Sequence, residues 1–142
     1  MDWKYLFTSF DGRINRAKFW AAIGVFFALG IVGLIIDSVL GTRVTVGGGL
    51  QVGIVGIIIS LASIYFALAV YAKRWHDRDK SGWLSAVLIV VFVVAAIVTM
   101  VAPALATVIA IVELLVAIWF IVELGILQGT KGPNKYGPDP LG

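Results

Sequence analysis

The sequence predicts an all-α membrane protein, a four-transmembrane-helix bundle with a short amphipathic helix at its N-terminus that lies in the membrane interface. Two observations predict this fold class. Of the 142 residues, 61% are hydrophobic and 13% are charged, whereas soluble domains average about half apolar and about a quarter charged. The apolar residues also form four runs that are long enough to cross a bilayer. The chain, residues 1–142, is therefore expected to be a single membrane domain.

A short interfacial helix followed by a turn is predicted over residues 1–12. Large apolar side chains recur there three or four residues apart, so they share one helix face. These side chains are Trp3, Leu6, Phe7 and Phe10. A helix of this kind lies in the plane of the interface. The Asp-Gly pair at residues 11–12 then forms the turn into the first span.

Four apolar runs are predicted to cross the membrane as helices, because backbone polar groups in lipid have to be satisfied within their own segment. The predicted spans are residues 19–40, 53–72, 83–102 and 104–127, and residues 128–142 form a tail. Pro103 separates the last two spans, with a kinked or re-entrant segment as the alternative. Small residues permit close helix approach. They are Gly24, Ala28, Gly53, Gly56, Ala62 and Ala69.

The connection between the first two spans, GTRVTVGGGLQV, is expected to be a flexible loop. Its glycines, Gly47 to Gly49, lack the following Lys-Ser/Thr of a phosphate-binding loop. The sequence therefore predicts no phosphate site on that side of the membrane.

The positive charges predict the orientation of the bundle. Ten of the eleven Lys and Arg residues lie before the first span, between the second and third spans, or after the fourth, and Arg43 alone lies on the other side. Cytoplasmic loops carry the excess of Lys and Arg. Both termini and the charged central loop are therefore expected in the cytoplasm.

Three polar motifs on the predicted cytoplasmic face carry a family resemblance. They are FDGRINRAKFW at residues 10–20, KRWHDRDKSGW at residues 73–83 and GTKGPNKYGPDP at residues 129–140. With these motifs in this order, the chain resembles a bacterial family of small inner-membrane proteins, domain of unknown function 805, over nearly its whole length. The resemblance implies the fold and an inner-membrane location, and it implies no activity. The chain departs from the family pattern at Glu113 and Glu123, where mainly apolar residues are expected.

Together the motifs predict a polar cap over the inner ends of the helices. Its candidate lipid-binding or partner-binding residues are Arg13, Arg16, Trp20, Arg74, His76, Asp77, Trp83, Asn134 and Tyr136. Arg13, Arg16 and Trp20 are spaced to share one helix face. Guanidinium groups bind phosphate in a bidentate manner, and each basic side chain near the surface attracts anionic headgroups by about 1 kcal/mol. The alternative is that the arginines lock the helices together by pairing with acids of the cap. Those acids are Asp11, Asp77, Asp79 and Glu123.

His76 is the chain's single histidine, and it stands beside Asp77. Such a pair suits a general base or part of a metal site. Metal sites usually need three or four converging ligands, however, and the chain has no cysteine. The favoured interpretation is that Asp77 pairs with an arginine while the His76 ring bonds to the tail backbone. The motifs of α/β-hydrolases and zinc proteases are also missing, so no catalytic residue, metal ion or cofactor is assigned.

Two acidic residues lie within the fourth span, where an ionisable group is costly and is a functional candidate by default. Glu123 is close enough to the cytoplasmic edge to pair with Lys73 or Arg74, which favours a structural role. Glu113 has no obvious cationic partner. It is expected to donate a hydrogen bond, in its protonated form, to a serine of the second span, with an ion or proton relay as the alternative.

These observations predict a non-enzymatic integral membrane protein whose polar cap has an accessory, scaffold or headgroup-binding role. The expected partners are membrane lipids, anionic headgroups among them, and a membrane protein or a second copy of the chain. Acids and bases alternate in the interfacial plane, which argues against nucleic acid. The alternative is a small transporter, or an enzyme that acts on headgroups through His76, Asp77 and the nearby arginines. A cavity that reaches Glu113 from the cap would favour that alternative.

Overall fold

The computed structural model describes residues 1–46 and 49–141, and helices dominate it. A short helix, α1 (Trp3–Thr8), precedes four helical segments that are each long and apolar enough to cross a membrane. Their main helices are α2 (Arg16–Leu40), α3 (Ile54–Asp77), α4 (Ser85–Val101) and α5 (Ala106–Phe120). The predicted fold class, a four-span bundle with a short N-terminal helix, is confirmed.

The ends of the last two spans depart from regular α-helix. A 3-10 turn precedes each of them, at Gly82–Leu84 and Pro103–Leu105, and α5 continues into a π-helical turn, Ile121–Ile126. Pro103 stands in a first turn, where its missing N–H costs nothing because that position has no intrahelical partner. The predicted boundary at Pro103 is therefore a tight connection between two helices.

The first long helix begins at Arg16, ahead of the predicted span, because Asn15 caps it. The Asn15 side chain accepts a hydrogen bond from the Lys18 backbone N–H at 3.0 Å, which satisfies one of the free donors of the first turn. Arg13 consequently precedes α2. The prediction that Arg13 shares a helix face with Arg16 and Trp20 is wrong.

The connection between α2 and α3 is a β-hairpin, not the flexible loop that was predicted. Strand β1 (Arg43–Val46) pairs antiparallel with β2 (Leu50–Gly53). Valine and threonine favour strands, and a hydrogen bond of 3.0 Å from the Gln51 amide to the Thr45 hydroxyl joins the two strands. The prediction about Gly47 to Gly49 falls partly on residues 47 and 48, which lie outside the described residues.

Helices α2 and α3 approach closely where Gly33 faces Gly56. A Cβ atom on Gly33 would lie 3.2 Å from the Gly56 Cα atom. Gly56 was expected to allow such an approach, whereas Gly33 was missed. Nothing lies within 4 Å of a Cβ on Gly24, so the expectation for Gly24 is wrong.

Asp37 lies in α2 one turn after Gly33. It is buried, and its carboxylate caps the N-terminus of α3. Its carboxylate accepts hydrogen bonds from the backbone N–H groups of Val55 at 2.9 Å and Gly56 at 2.8 Å, and from the Thr42 hydroxyl at 2.5 Å. A negative charge at this position also interacts favourably with the helix dipole. Asp37 therefore ties α2, the hairpin and α3 together, a role that the sequence analysis missed.

The buried core lies at the opposite end of the bundle from the hairpin. Its fully buried apolar members are Leu6, Ile14, Phe19, Ala22, Val70, Trp75, Phe120 and Leu124. Helix α1 contributes Leu6 to this core and packs Phe7 edge-on against Phe26, with ring centroids 5.6 Å apart. The apolar face of α1 thus packs on the bundle, and the core positions the polar cap above it.

Candidate functional site

Asp77, the last residue of α3, organises the end of the bundle that carries the three motifs. The residue is 3% exposed. One carboxylate oxygen accepts hydrogen bonds from Nε and Nη2 of Arg13, at 3.1 and 2.9 Å, and the other pairs with Nη1 of Arg74. A buried carboxylate is tolerated when its charge is paired and its lone pairs are hydrogen-bonded. The prediction that Asp77 pairs with an arginine is confirmed, and two arginines share it.

Arg13 links this ion pair to the tail. Its guanidinium group also donates to the carbonyl oxygens of Thr130 at 2.6 Å and Gly132 at 2.7 Å. The Thr130 backbone N–H returns a hydrogen bond of 2.8 Å to the Asp77 carbonyl oxygen. Gly129 is needed beside this contact, because a Cβ there would collide with the Asp77 carboxylate. The tail is therefore folded over the end of α3.

Basic and indole side chains cap the carboxyl end of the fourth span. The last carbonyl groups of a helix have no intrahelical partner, and here side-chain donors bind them at 2.5–3.1 Å. The pairs are Arg74 with Leu124 and Leu127, Trp20 with Gly125, Arg16 with Ile126, and Arg78 with Gln128. Positive charge is also favourable at this end of a helix dipole. The charged loop thus has a structural use at the terminus of the span.

Glu123 forms a second ion-pair group with the central loop. It accepts from the Lys80 ammonium at 2.7 Å and from Arg78 Nε at 3.3 Å. These ion pairs agree with the expected structural role of Glu123. Its predicted pairing with Lys73 or Arg74 is wrong. Arg74 turns to Asp77, while Lys73 is buried and donates to carbonyl oxygens of the α1 segment. The reason is that α3 runs on through Asp77 and brings the residues that follow it beside Glu123.

His76 lies between the tail and the N-terminal loop, residues 9–15 between α1 and α2. Its Nδ1 is 3.1 Å from the Gly12 carbonyl oxygen, and its ring stacks on Tyr136 with centroids 3.8 Å apart. The tail reaches the His76 backbone instead, through a 2.9 Å bond from the Asn134 amide to the His76 carbonyl oxygen. The predicted bond from the His76 ring to the tail backbone is therefore wrong. Because a carbonyl oxygen can only accept, Nδ1 carries the hydrogen, and Nε2 of the neutral ring is an acceptor.

The tail is also closed on itself near its end. The Asp139 carboxylate accepts from the backbone N–H groups of Leu141 at 3.0 Å and Gly132 at 2.8 Å. These hydrogen bonds, that of Leu141 first, hold the pKa of Asp139 below its ordinary value. The carboxylate is therefore ionised at neutral pH, and its contribution to the closed tail is lost only when the pH falls through that lowered pKa.

The nine candidate residues of the polar cap do gather at one end of the bundle, but they are not equally accessible. Arg13 is 6% exposed and Arg74 is 0% exposed, and both donate to protein acceptors. The arrangement therefore corresponds to the alternative in which arginines lock the helices together. Trp83, in contrast, is 85% exposed.

A cavity of about 400 Å³ opens beside the polar cap, between the N-terminal loop, α3 and the start of α4. We call this space the cap cavity. The lining residues that bear on its chemistry are Phe10, Asp11, His76, Trp83, Ser85 and Tyr136. A larger groove of about 650 Å³ lies between α2 and α3 toward the hairpin and is lined mostly by apolar residues.

Glu113 is separate from the polar cap. It is half-buried, and within residues 1–46 and 49–141 no hydrogen bond or ion pair of its carboxyl group is found. The predicted bond to a serine of the second span is therefore wrong; Ser60 and Ser63 donate to carbonyl oxygens of their own helix at 2.8 and 2.7 Å. The part of the chain that the structure describes also holds no group of three or more His, Cys, Asp or Glu residues that could bind a metal ion.

Comparisons with known proteins match nearly the whole chain. The model of the family described as "Protein of unknown function (DUF805)" matches residues 7–138. "Uncharacterized protein YiiR" of Escherichia coli K12 is 33% identical over 133 residues, which cover 92% of this chain and 85% of that protein. "Inner membrane protein YhaH" of the same strain is 29% identical over 146 residues, which cover 99% of this chain and 97% of that protein. No solved structure matches this chain at a significant level.

Proposed function

Because this chain belongs to the DUF805 family, we propose that it is a non-enzymatic inner-membrane protein that binds the headgroup of a membrane lipid at its polar cap. Its four apolar helices and its relatives named as inner-membrane proteins make it a multi-pass protein of that membrane. The headgroup-binding role goes beyond what those relatives' names state and rests on the structure of the cap.

The capped end is proposed to face the cytoplasm. Ten of the chain's eleven Lys and Arg residues belong to the segments at that end, and Arg43 of the hairpin is the exception. Excess positive charge is retained on the cytoplasmic side during insertion. This orientation puts both termini and the central loop inside the cell.

The cap cavity is the observation that carries the proposal. It opens at the end of the bundle where the apolar surface of the spans meets the polar cap, and Trp83 stands exposed beside it. Exposed tryptophan is typical of the headgroup level of a membrane. A concave space that joins apolar walls to a few polar groups is the usual form of a ligand site.

The state of the arginines argues against catalysis and against an anion site built on them. Arg13 and Arg74 are buried and their donors are engaged with Asp77 and with carbonyl oxygens. Groups held this way stabilise the fold, so neither of these two guanidinium groups is free to bind a substrate phosphate. Among the five main cavities lined by described residues, none includes Glu113 in its lining, so the transporter alternative gains no support.

Filling the cap cavity is expected to remove a bound lipid. Ala86 lines the cavity, and Ala86→Phe would put a ring into the space that a headgroup needs. Ala96→Phe adds the same ring at an exposed position of the same helix and serves as the matched control. We expect wild type and Ala96→Phe to retain phospholipid in native mass spectra after release from nanodiscs, and Ala86→Phe to lose it.

Equal retention by the two variants, both shown to be folded by circular dichroism, would contradict headgroup binding in this cavity. Co-purification of a stoichiometric second protein in place of lipid would favour the scaffold role instead.

A further inference from the structure

We propose, resting on the headgroup function above, that the cap cavity selects phospholipids whose headgroup carries a primary ammonium group, and that the Asp11 carboxylate holds this group. Three features of the cavity carry the inference: a carboxylate without a partner, a buried hydroxyl without a partner, and aromatic walls.

The carboxylate of Asp11 is unlike nearly all others in the chain. Of eight acidic residues, six have a hydrogen-bond or ion-pair partner. These six are Asp2, Asp37, Asp77, Asp79, Glu123 and Asp139. Within the part of the chain that the structure describes, the Asp11 carboxylate has none, although its backbone is fixed by a 3.0 Å bond from the Tyr5 hydroxyl to its carbonyl oxygen. The carboxylate is thus available on a well-anchored segment.

Within residues 1–46 and 49–141, no neighbouring cation forms an ion pair with Asp11. Lys73 is within electrostatic range of it, but its ammonium group donates to the carbonyl oxygens of Tyr5, at 3.1 Å, and Ser9. Lys135 pairs with Asp79 at 3.8 Å. The charge on Asp11 is therefore left for a ligand, and a cationic ligand is the one that it attracts.

The remaining polar groups of the cavity can also bind a donor-rich ligand. Ser85 is 2% exposed, and among the described residues its hydroxyl has no hydrogen-bond partner. A buried hydroxyl without a partner carries an unfavourable free energy that a bound donor or acceptor would remove, because a hydroxyl can take either role. The neutral His76 ring, with its hydrogen on Nδ1, presents an acceptor at Nε2. A primary ammonium group has three N–H donors to match these acceptors.

Aromatic rings complete the recognition of a cation. Phe10 and Trp83 both line the cavity and keep exposed ring surface, and a cation over an aromatic face is attracted to it. Tyr136 is less available, because one ring face stacks on His76 and the Lys135 ammonium lies 5.0 Å from its ring centroid. The rings of Phe10 and Trp83 are therefore expected to contact the ammonium group.

The start of α4 suits the phosphate of the same headgroup. Ser81, Gly82 and Ser85 line the cavity where this span begins, and the positive end of a helix dipole favours a phosphate. Every phospholipid has such a phosphate, so the amine is the part by which the site discriminates.

The test compares lipid retention from nanodiscs that contain equal amounts of phosphatidylethanolamine, phosphatidylglycerol and phosphatidylcholine with identical acyl chains. Native mass spectrometry counts the lipids that remain bound. We expect wild type to retain phosphatidylethanolamine with a preference of roughly tenfold or more over phosphatidylglycerol, the range of a charge-assisted hydrogen bond. Asp11→Asn is expected to abolish the preference, and Asp79→Asn, which changes a carboxylate outside the cavity, to keep it.

Four other results are possible in this experiment, and each contradicts a different part of the proposal. Equal retention of phosphatidylethanolamine and phosphatidylglycerol would overturn the amine inference while headgroup binding stands. Equal retention of phosphatidylcholine would overturn the requirement for N–H donors. Displacement of the bound lipid by an equal concentration of glycerophosphoethanolamine, which lacks acyl chains, would overturn the assignment to a lipid. Loss of every phospholipid from folded wild type would overturn the proposed function itself.

Discussion

Replacing Asp77 with asparagine is expected to destabilise the folded protein by about 3–5 kcal/mol, the typical effect of removing one partner from a buried ion pair. The carboxylate receives Arg13 on one oxygen and Arg74 on the other. An amide can accept one of these guanidinium groups, but its NH₂ would face the other, which would then be buried without a counter-charge. The free energy of unfolding is measured by titration of mixed micelles with SDS, followed by circular dichroism.

Asp79→Asn is the matched control for this experiment. Asp79 lies two residues further along, is exposed and pairs with Lys135 at 3.8 Å, so its substitution should change stability by about 0–1 kcal/mol. A double-mutant cycle with Arg13→Met and Asp77→Asn should give a coupling energy well above that of Lys135→Met with Asp79→Asn. Equal unfolding of the two single asparagine variants would contradict the central role of Asp77.

Replacing Asp37 with alanine is expected to loosen the other end of the bundle and to lower the melting temperature by roughly 5–10 °C. The change leaves the backbone N–H groups of Val55 and Gly56, and the Thr42 hydroxyl, without their acceptor. In a membrane protein water does not readily replace such an acceptor at a helix end. Hydrogen–deuterium exchange is expected to rise at residues 55 and 56 while the polar cap keeps its protection.

Ser38→Ala is the control for this second prediction. Ser38 is the next residue of α2 and is exposed, and its hydroxyl bonds to the Leu34 carbonyl oxygen and to Arg43 rather than to α3. Its substitution should leave both the melting temperature and the exchange at the start of α3 nearly unchanged. Identical behaviour of the two alanine variants would show that Asp37 does not cap α3.

The spans and the grouping of the three motifs could be predicted from the sequence because each depends on local features. Runs of apolar residues determine which segments enter lipid, and the count of spans determines which connections share a side. With four spans, residues 10–20, 73–83 and 129–140 therefore had to lie on the same side. The short helix α1 followed in the same way from its spacing of large apolar side chains.

The partners within the polar cap could not be predicted, because they depend on where helices end and how they rotate. α3 runs on to Asp77, which turns Arg74 inward and brings later residues of the loop to Glu123. The π-helical turn at Ile121–Ile126 sets which carbonyl oxygens need a donor, and the sequence carries no clear sign of it. Burial of Arg13 and Arg74 reversed the expectation that they would be free for headgroups.

At the other end, Asp37 and Gly33 were missed for a related reason. Both matter through contacts with α3, more than 15 residues away along the chain, and the spacing within α2 alone does not indicate them. The valine and threonine residues on either side of the glycines favour strands and did indicate a hairpin. The flexible loop was predicted because the glycine-rich composition was given more weight.

The central claim is that the N-terminal loop, the central loop and the tail meet on one side of the membrane around Asp77. Cysteine cross-linking tests the meeting of the central loop and the tail directly, because the chain has no cysteine of its own. In membrane vesicles, Asp79→Cys/Lys135→Cys should be joined in high yield by a short bismaleimide, since these exposed side chains approach to 3.8 Å. Arg43→Cys/Lys135→Cys, which pairs the hairpin with the tail, should not be joined. Absence of a cross-link in the first pair, with its two cysteines labelled by an impermeant maleimide from opposite sides of the membrane, would contradict the claim.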